Sequence, residues 1–138
     1  MLQPKKRKYR KEFRGKRRGI AMRGNAIDFG EFGLKVEGNG WITARQIEAA
    51  RKTIQHHTKR QGKLFIRVFP DKPVTHKAAG SKMGSGKGDI EQYVAVVKMG
   101  KVLFELSGLP IMEAKEAFRK AGHKLPLKTH FISKDQEL

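Results

Sequence analysis

Gly84-Ser85-Gly86-Lys87-Gly88 has the composition of a phosphate cradle. Glycines free backbone N–H groups to approach an oxyanion, and a neighbouring lysine neutralises it. Two positions break the pattern. A Walker A loop needs glycine where Ser81 stands and Ser or Thr where Gly88 stands, and it must open a helix, whereas this run leads into a strand. The five histidines do not suggest a metal site either. His56 and His57 are adjacent and would point about 100° apart on a helix, while His76, His123 and His130 have no carboxylate at a ligand spacing. Cysteine is absent, which removes disulfides, thiolate zinc sites and thiol nucleophiles. No pair of carboxylates stands out. The sequence therefore predicts no catalytic residue, no metal site and no cofactor. The chemistry that remains is charge.

There is a great deal of it. The 138 residues hold 31 Lys and Arg against 13 Asp and Glu, a formal net charge of +18. Self-repulsion on that scale destabilises a compact chain unless a polyanion offsets it, so nucleic acid is the leading class of partner. No apolar run approaches the roughly 20 residues of a membrane span. The basic N-terminus has no apolar segment behind it, so a secretory signal is not expected.

The cations concentrate in two stretches. Residues 1–24 read as an arm: Lys5, Lys6, Arg7, Lys8, Arg10, Lys11, Arg14, Lys16, Arg17, Arg18 and Arg23 are basic, and Glu12 is the sole acid. With so few apolar residues the arm is expected to order only on binding, with Tyr9 and Phe13 able to stack on bases or tack it to the body. The second stretch, Pro70–Asp89, has lysine every fifth position, at Lys72, Lys77, Lys82 and Lys87, and glycine at 80, 84, 86 and 88. It shows neither helical nor strand periodicity. A structureless loop of twenty residues is normally functional or disordered. Folded back on itself it would reach roughly 30 Å.

These stretches need a rigid body to hold them, and residues 25–138 supply one. Phe29–Val36 alternates as a strand, followed by turn residues Gly38-Asn39-Gly40 and a short apolar Trp41-Ile42, the tryptophan reading as a packing residue. Thr43 and Gln46 form a capping box that opens a helix running to about Gln61. Ala44, Ile47, Ala50, Ile54 and Thr58 make its buried stripe, with Arg51 at the edge. Arg45, Lys52, His56 and Lys59 line the opposite face, which lacks balancing acids and is a second candidate RNA contact. Lys63–Phe69 is a strand ended by Pro70. Tyr93–Lys98 and Lys101–Leu106 read as strands joined by Met99-Gly100 in a tight antiparallel hairpin. A second helix, Pro110–Ala121, is expected to start with proline at its first position, bury Ile111, Ala114, Phe118 and Ala121, and pair Glu116 with Lys120. Its charge balance marks it as structural. Leu127–Ile132 is the last strand. The fold class is α+β.

MLQPKKRKYRKEFRGKRRGIAMRGN, FGEFGLKV, the run from WITARQIEAAR through RVFPDKP and MGSGKG to VLFEL, and AFRKAGHKLPLKTHF follow one another in unbroken order. Together they resemble the L-sixteen family of large-subunit ribosomal proteins. The resemblance implies a single hammerhead-type domain with two helices on antiparallel strands, bound to large-subunit rRNA, beside neighbouring ribosomal proteins in the cytoplasm. It implies no membrane and no homo-oligomer. It also implies that the arm (Lys5–Arg23 with Tyr9) contacts rRNA. The loop positions Lys77, Ser81, Lys82, Met83, Gly84 and Lys87 would then face A-site tRNA and, secondarily, P-site tRNA. The family often carries arginine where Lys82 stands; lysine offers a point charge without a planar fork. Two rival functions are a free-standing RNA-binding or RNA-chaperone module and a small nucleotide-dependent enzyme.

Overall fold

Threonine at position 43 decides where the longer helix begins. Its hydroxyl accepts the Gln46 N–H at 3.1 Å while the Gln46 side-chain carbonyl accepts the Thr43 N–H at 2.9 Å, so two orphan donors are satisfied reciprocally. The computed structural model containing this helix describes residues 2–4, 19–76 and 89–136. In chain order the elements are β1 (Phe32–Val36), β2 (Gly40–Thr43), α1 (Ala44–Thr58), β3 (Lys63–Ile66), β4 (Lys72–His76), β5 (Asp89–Val97), β6 (Val102–Ser107), α2 (Ile111–Gly122) and β7 (Thr129–Ser133), closed by a 3-10 turn at Lys134–Gln136. This is an α+β body with two antiparallel sheets. One has the strand order β3-β6-β1-β7 and the other β2-β5-β4.

The predicted stripe of α1 is the one that is buried: Ala44, Ile47, Ala50, Ile54 and Thr58 all face inward. α1 packs on β2 and β5, α2 packs on β1 and β7, and the helices pack on each other. Ile42, Ile54, Leu103, Phe104 and Phe118 are almost wholly excluded from water at the centre. Truncating an aromatic of this kind costs about 3–5 kcal/mol, the transfer term plus the cavity.

Several sequence expectations need correction. Met99-Gly100 does not make a hairpin. β5 and β6 part into different sheets, and the residues joining them bond to the end of β1: the Gly100 N–H donates to the Val36 carbonyl (2.9 Å) and the Val36 N–H to that of Lys101 (3.0 Å). Alternation reveals a strand's faces but not its partner. The Pro70–Asp89 stretch is also not structureless. β4 pairs with β5 from Lys72↔Val94 to His76↔Asp89, with a register shift between Val74 and Thr75. The prolines hid this strand from a propensity reading; Pro73 is tolerated because β4 is an edge strand. Residues 77–88, which join the two strands, lie outside the described residues.

Smaller differences concern the ends of elements. α1 stops at Thr58, where Lys59 and Arg60 turn left-handed (φ 55° and 62°), three residues earlier than expected. Pro110 is the N-cap of α2 and not its first helical residue, with extended φ −61° and ψ 147°. Ile111 is exposed and Ala117 is buried in the stripe instead, while Glu116 pairs with Arg119 and not with Lys120. β7 is shifted to Thr129–Ser133. Residues ahead of position 25 also bond to the body: Ile20 bridges Met99, the Ala21 N–H donates to the Met99 carbonyl (2.9 Å), and the Val102 N–H donates to that of Gly24 (2.8 Å).

β1 starts at Phe32 and not Phe29 because the preceding backbone is bonded elsewhere. Glu105, on β6, is 0% exposed. Its carboxylate accepts the N–H groups of Asp28 (3.2 Å), Phe29 (2.8 Å) and Gly30 (2.7 Å), and it is ion-paired with Arg67. Burial pushes this carboxyl pKa up, but donation from Gly30, Arg67, Phe29 and Asp28 to the ionised form outweighs it and holds the pKa below the ordinary glutamate value. Arg67 also donates to Asp28 (3.0 Å) and lies 5.0 Å over the Phe29 ring. Gly30 permits the approach: a Cβ there would sit 2.6 Å from the Leu106 carbonyl oxygen.

Candidate nucleic-acid interface

Because α1 buries a narrow stripe, its remaining circumference faces water. Arg45, Lys52 and His56 are exposed on it, and Lys59 is exposed at its C-cap. The strip from Arg45 to Lys59 is about 20 Å long at 1.5 Å per residue. It is not wholly free of acid: Glu48 is ion-paired with Arg51 one turn on, and hydrogen bonding from Arg51 holds the Glu48 pKa below the ordinary value.

The structure splits the predicted strip. Lys52 and His56 fall in a groove of about 1150 Å³ between the C-terminal halves of the two helices, lined also by Arg51, His57 and Arg60 from α1 and its cap and by Lys120, His123 and Lys124 from the end of α2. Arg45 and Lys59 lie outside that lining. Arg23 is exposed on the segment bonded to Met99 and Val102, separate from the groove. The remaining predicted positions, 5–18 of the arm (Lys5 to Arg18, with Tyr9) and 77–88 of the loop (Lys77, Ser81, Lys82, Met83, Gly84 and Lys87 among them), lie outside the described residues.

Sequence reading missed the α2 half of the groove. It took α2 for a structural helix because Glu113 and Glu116 balance Arg119 and Lys120. In the fold, Glu116 and Arg119 satisfy each other (2.6 Å), which leaves Lys120, His123 and Lys124 beside α1. The Lys120 ammonium sits 3.2 Å from His57 Nδ1. A lysine only donates, so the pair is a hydrogen bond when Nδ1 carries no proton. The signal available was the run Arg119-Lys120-Ala121-Gly122-His123-Lys124, three cations and a histidine around a helix end. Cations there also complement the helix dipole, so the run alone was ambiguous.

Elsewhere, Trp41 is half-buried with the Lys72 ammonium 5.3 Å over its ring. Among the described residues, no three His, Asp or Glu side chains gather as a metal site, and no helix is long and apolar enough to cross a membrane. The lining of the groove holds five cations and no carboxylate, Phe, Tyr or Trp, so it suits the binding of anions and not base stacking.

Two comparisons bear on what the anion is. The profile of the family described as Ribosomal protein L16p/L10e matches residues 4–132. A protein of Polaromonas sp. (strain JS666 / ATCC BAA-500) named "Large ribosomal subunit protein uL16" is 56% identical over 134 residues, covering 97% of each chain.

Proposed function

This chain belongs to the ribosomal protein L16p/L10e family and is a structural, non-enzymatic component of the large ribosomal subunit, and we propose that it neutralises and positions rRNA there, in the cytoplasm, and helps to shape the tRNA-binding side of the particle. The observation that carries this reading is the family match across nearly the whole chain, joined to a net charge of +18. In this reading a hammerhead-type body holds two basic extensions. The arm, through Lys5–Arg23, lies against rRNA and anchors the chain. The loop, through Lys77, Ser81, Lys82, Met83, Gly84 and Lys87, reaches tRNA on the A-site side, with P-site tRNA as the further candidate. The exposed face of α1, with Arg45, Lys52, His56 and Lys59, adds phosphate contacts.

The pairing of β4 with β5 supports the loop's role physically: the connecting residues spring from a paired hairpin, so their base is fixed even though their sequence is glycine-rich. Sedimentation tests the reading as a whole. The chain should travel with large subunits through moderate salt. Recovery mainly in ribosome-free fractions would favour a free-standing RNA-binding module instead. Replacing Lys77, Lys82 and Lys87 by alanine should leave incorporation intact while weakening tRNA binding to the particles; normal tRNA binding by such particles would remove the tRNA role.

A further inference from the structure

We propose that the groove between the C-terminal ends of α1 and α2 is a docking site for an RNA phosphodiester backbone, built from residues of the two helices and their caps. The proposal rests on the rRNA-binding reading and assigns part of that binding to Lys52, Arg60, Lys120 and Lys124, with the histidines as further donors.

Four observations lead there. First, five cations line the groove and no carboxylate does. Among the described residues only Arg51 of the five has a carboxylate partner, Glu48. Second, the helix dipoles do not account for the excess. Two helix C-termini present about half a negative charge each, which five cations far exceed. Third, the groove is open and about 1150 Å³, room for several phosphates and their sugars, and without Phe, Tyr or Trp it has no platform for stacked bases. It is suited to backbone contact, which carries affinity and orientation but not sequence.

The fourth observation is backbone strain. Lys59 and Arg60 are the only non-glycine residues at positive φ among the described residues. They follow one another at a helix end, where glycine is the unstrained choice. Left-handed conformation disfavours residues bearing a Cβ. Two cations therefore stand at a turn where glycine would carry no Cβ strain, and one of them, Arg60, lines the groove.

Full-length wild-type chain, Lys52→Gln/Lys124→Gln and Arg60→Gly are titrated from low to moderate salt. The probes are protein-free large-subunit rRNA and an RNA duplex of scrambled sequence. The double variant should keep the wild-type melting temperature, because both lysines are exposed. Its salt slope should fall by roughly 0.7–0.9 for each lost phosphate contact, equally on both probes. Arg60→Gly should bind more weakly at an unchanged or higher melting temperature, a pairing of effects that a purely structural arginine would not give. Unchanged slopes in both variants, alongside normal co-sedimentation with large subunits, would overturn the groove and leave the ribosomal assignment standing. No binding of wild type to rRNA would overturn both. Competition is then measured at constant ionic strength. If millimolar inorganic phosphate or a mononucleotide erases the difference between wild type and the double variant, the site takes a single phosphate and not a backbone, which also overturns the proposal.

Discussion

At the scale of single residues, Glu105 is the side chain on which most depends. A fully buried carboxylate is tolerated only when its charge is answered, and here three successive N–H groups and Arg67 answer it. The folded pKa lies below the unfolded one, so the stabilisation is complete above the unfolded value of about 4.3. It is lost as pH falls from there through the folded pKa. Acid unfolding followed by circular dichroism should therefore show a stability slope below about pH 4.5 that Glu105→Gln makes shallower. At neutral pH the same variant should be destabilised by about 3 kcal/mol, since it strands Arg67 with only exposed Asp28. Equal acid slopes in the two proteins would contradict the assigned role. Nothing in the local sequence separates Glu105 from a surface glutamate on an alternating strand. Its neighbours Leu103, Phe104 and Leu106 make β6 a central strand buried on both faces, and that is a tertiary fact.

At the scale of elements, the helices were legible and the strand partners were not. The capping box of α1 is written in four residues, Thr43 to Gln46, and it forms as read. Thr43→Ala should lower stability by about 1 kcal/mol, measured by urea denaturation, with little change in the slope on urea. Gly62 illustrates the opposite situation. It has φ +73°, and a Cβ on it would lie 2.3 Å from the Ser107 carbonyl oxygen. Both constraints make glycine necessary there, but only the first is implied by its place after a helix. The missing hairpin at Met99-Gly100 and the unexpected one at β4–β5 share a cause. Pairing is decided by which buried faces meet, over separations that local periodicity does not span.

At the scale of the whole molecule, the charge has to be apportioned among arm, loop and groove. Residues 19–24 bond to the body at Met99 and Val102, and Leu2 packs on the core, so a deletion of residues 1–24 would mix loss of charge with loss of fold. Replacing the Lys and Arg between positions 5 and 18 with Gln, keeping Leu2 and Ile20, is the cleaner experiment. It should reduce the salt slope for rRNA by several units, at roughly 0.7–0.9 per lost phosphate contact, while the melting temperature holds. A variant that binds rRNA with the wild-type slope would show that the arm is not the anchor.

The sequence by itself determined the class of partner, the absence of thiol chemistry, the α1 stripe and its cap, and a family resemblance that the comparisons bear out. Those properties are sums over residues or patterns within one turn of chain, where composition and period are sufficient. The tertiary structure alone decided that β5 and β6 belong to different sheets, that Glu105 is buried and answered, and that the ends of α1 and α2 meet. The Glu105 contacts join residues 38 and 77 positions apart, Arg67 with Glu105 and Asp28 with Glu105. Contacts at that distance depend on which hydrophobic faces can close on one another, a property of the packed whole.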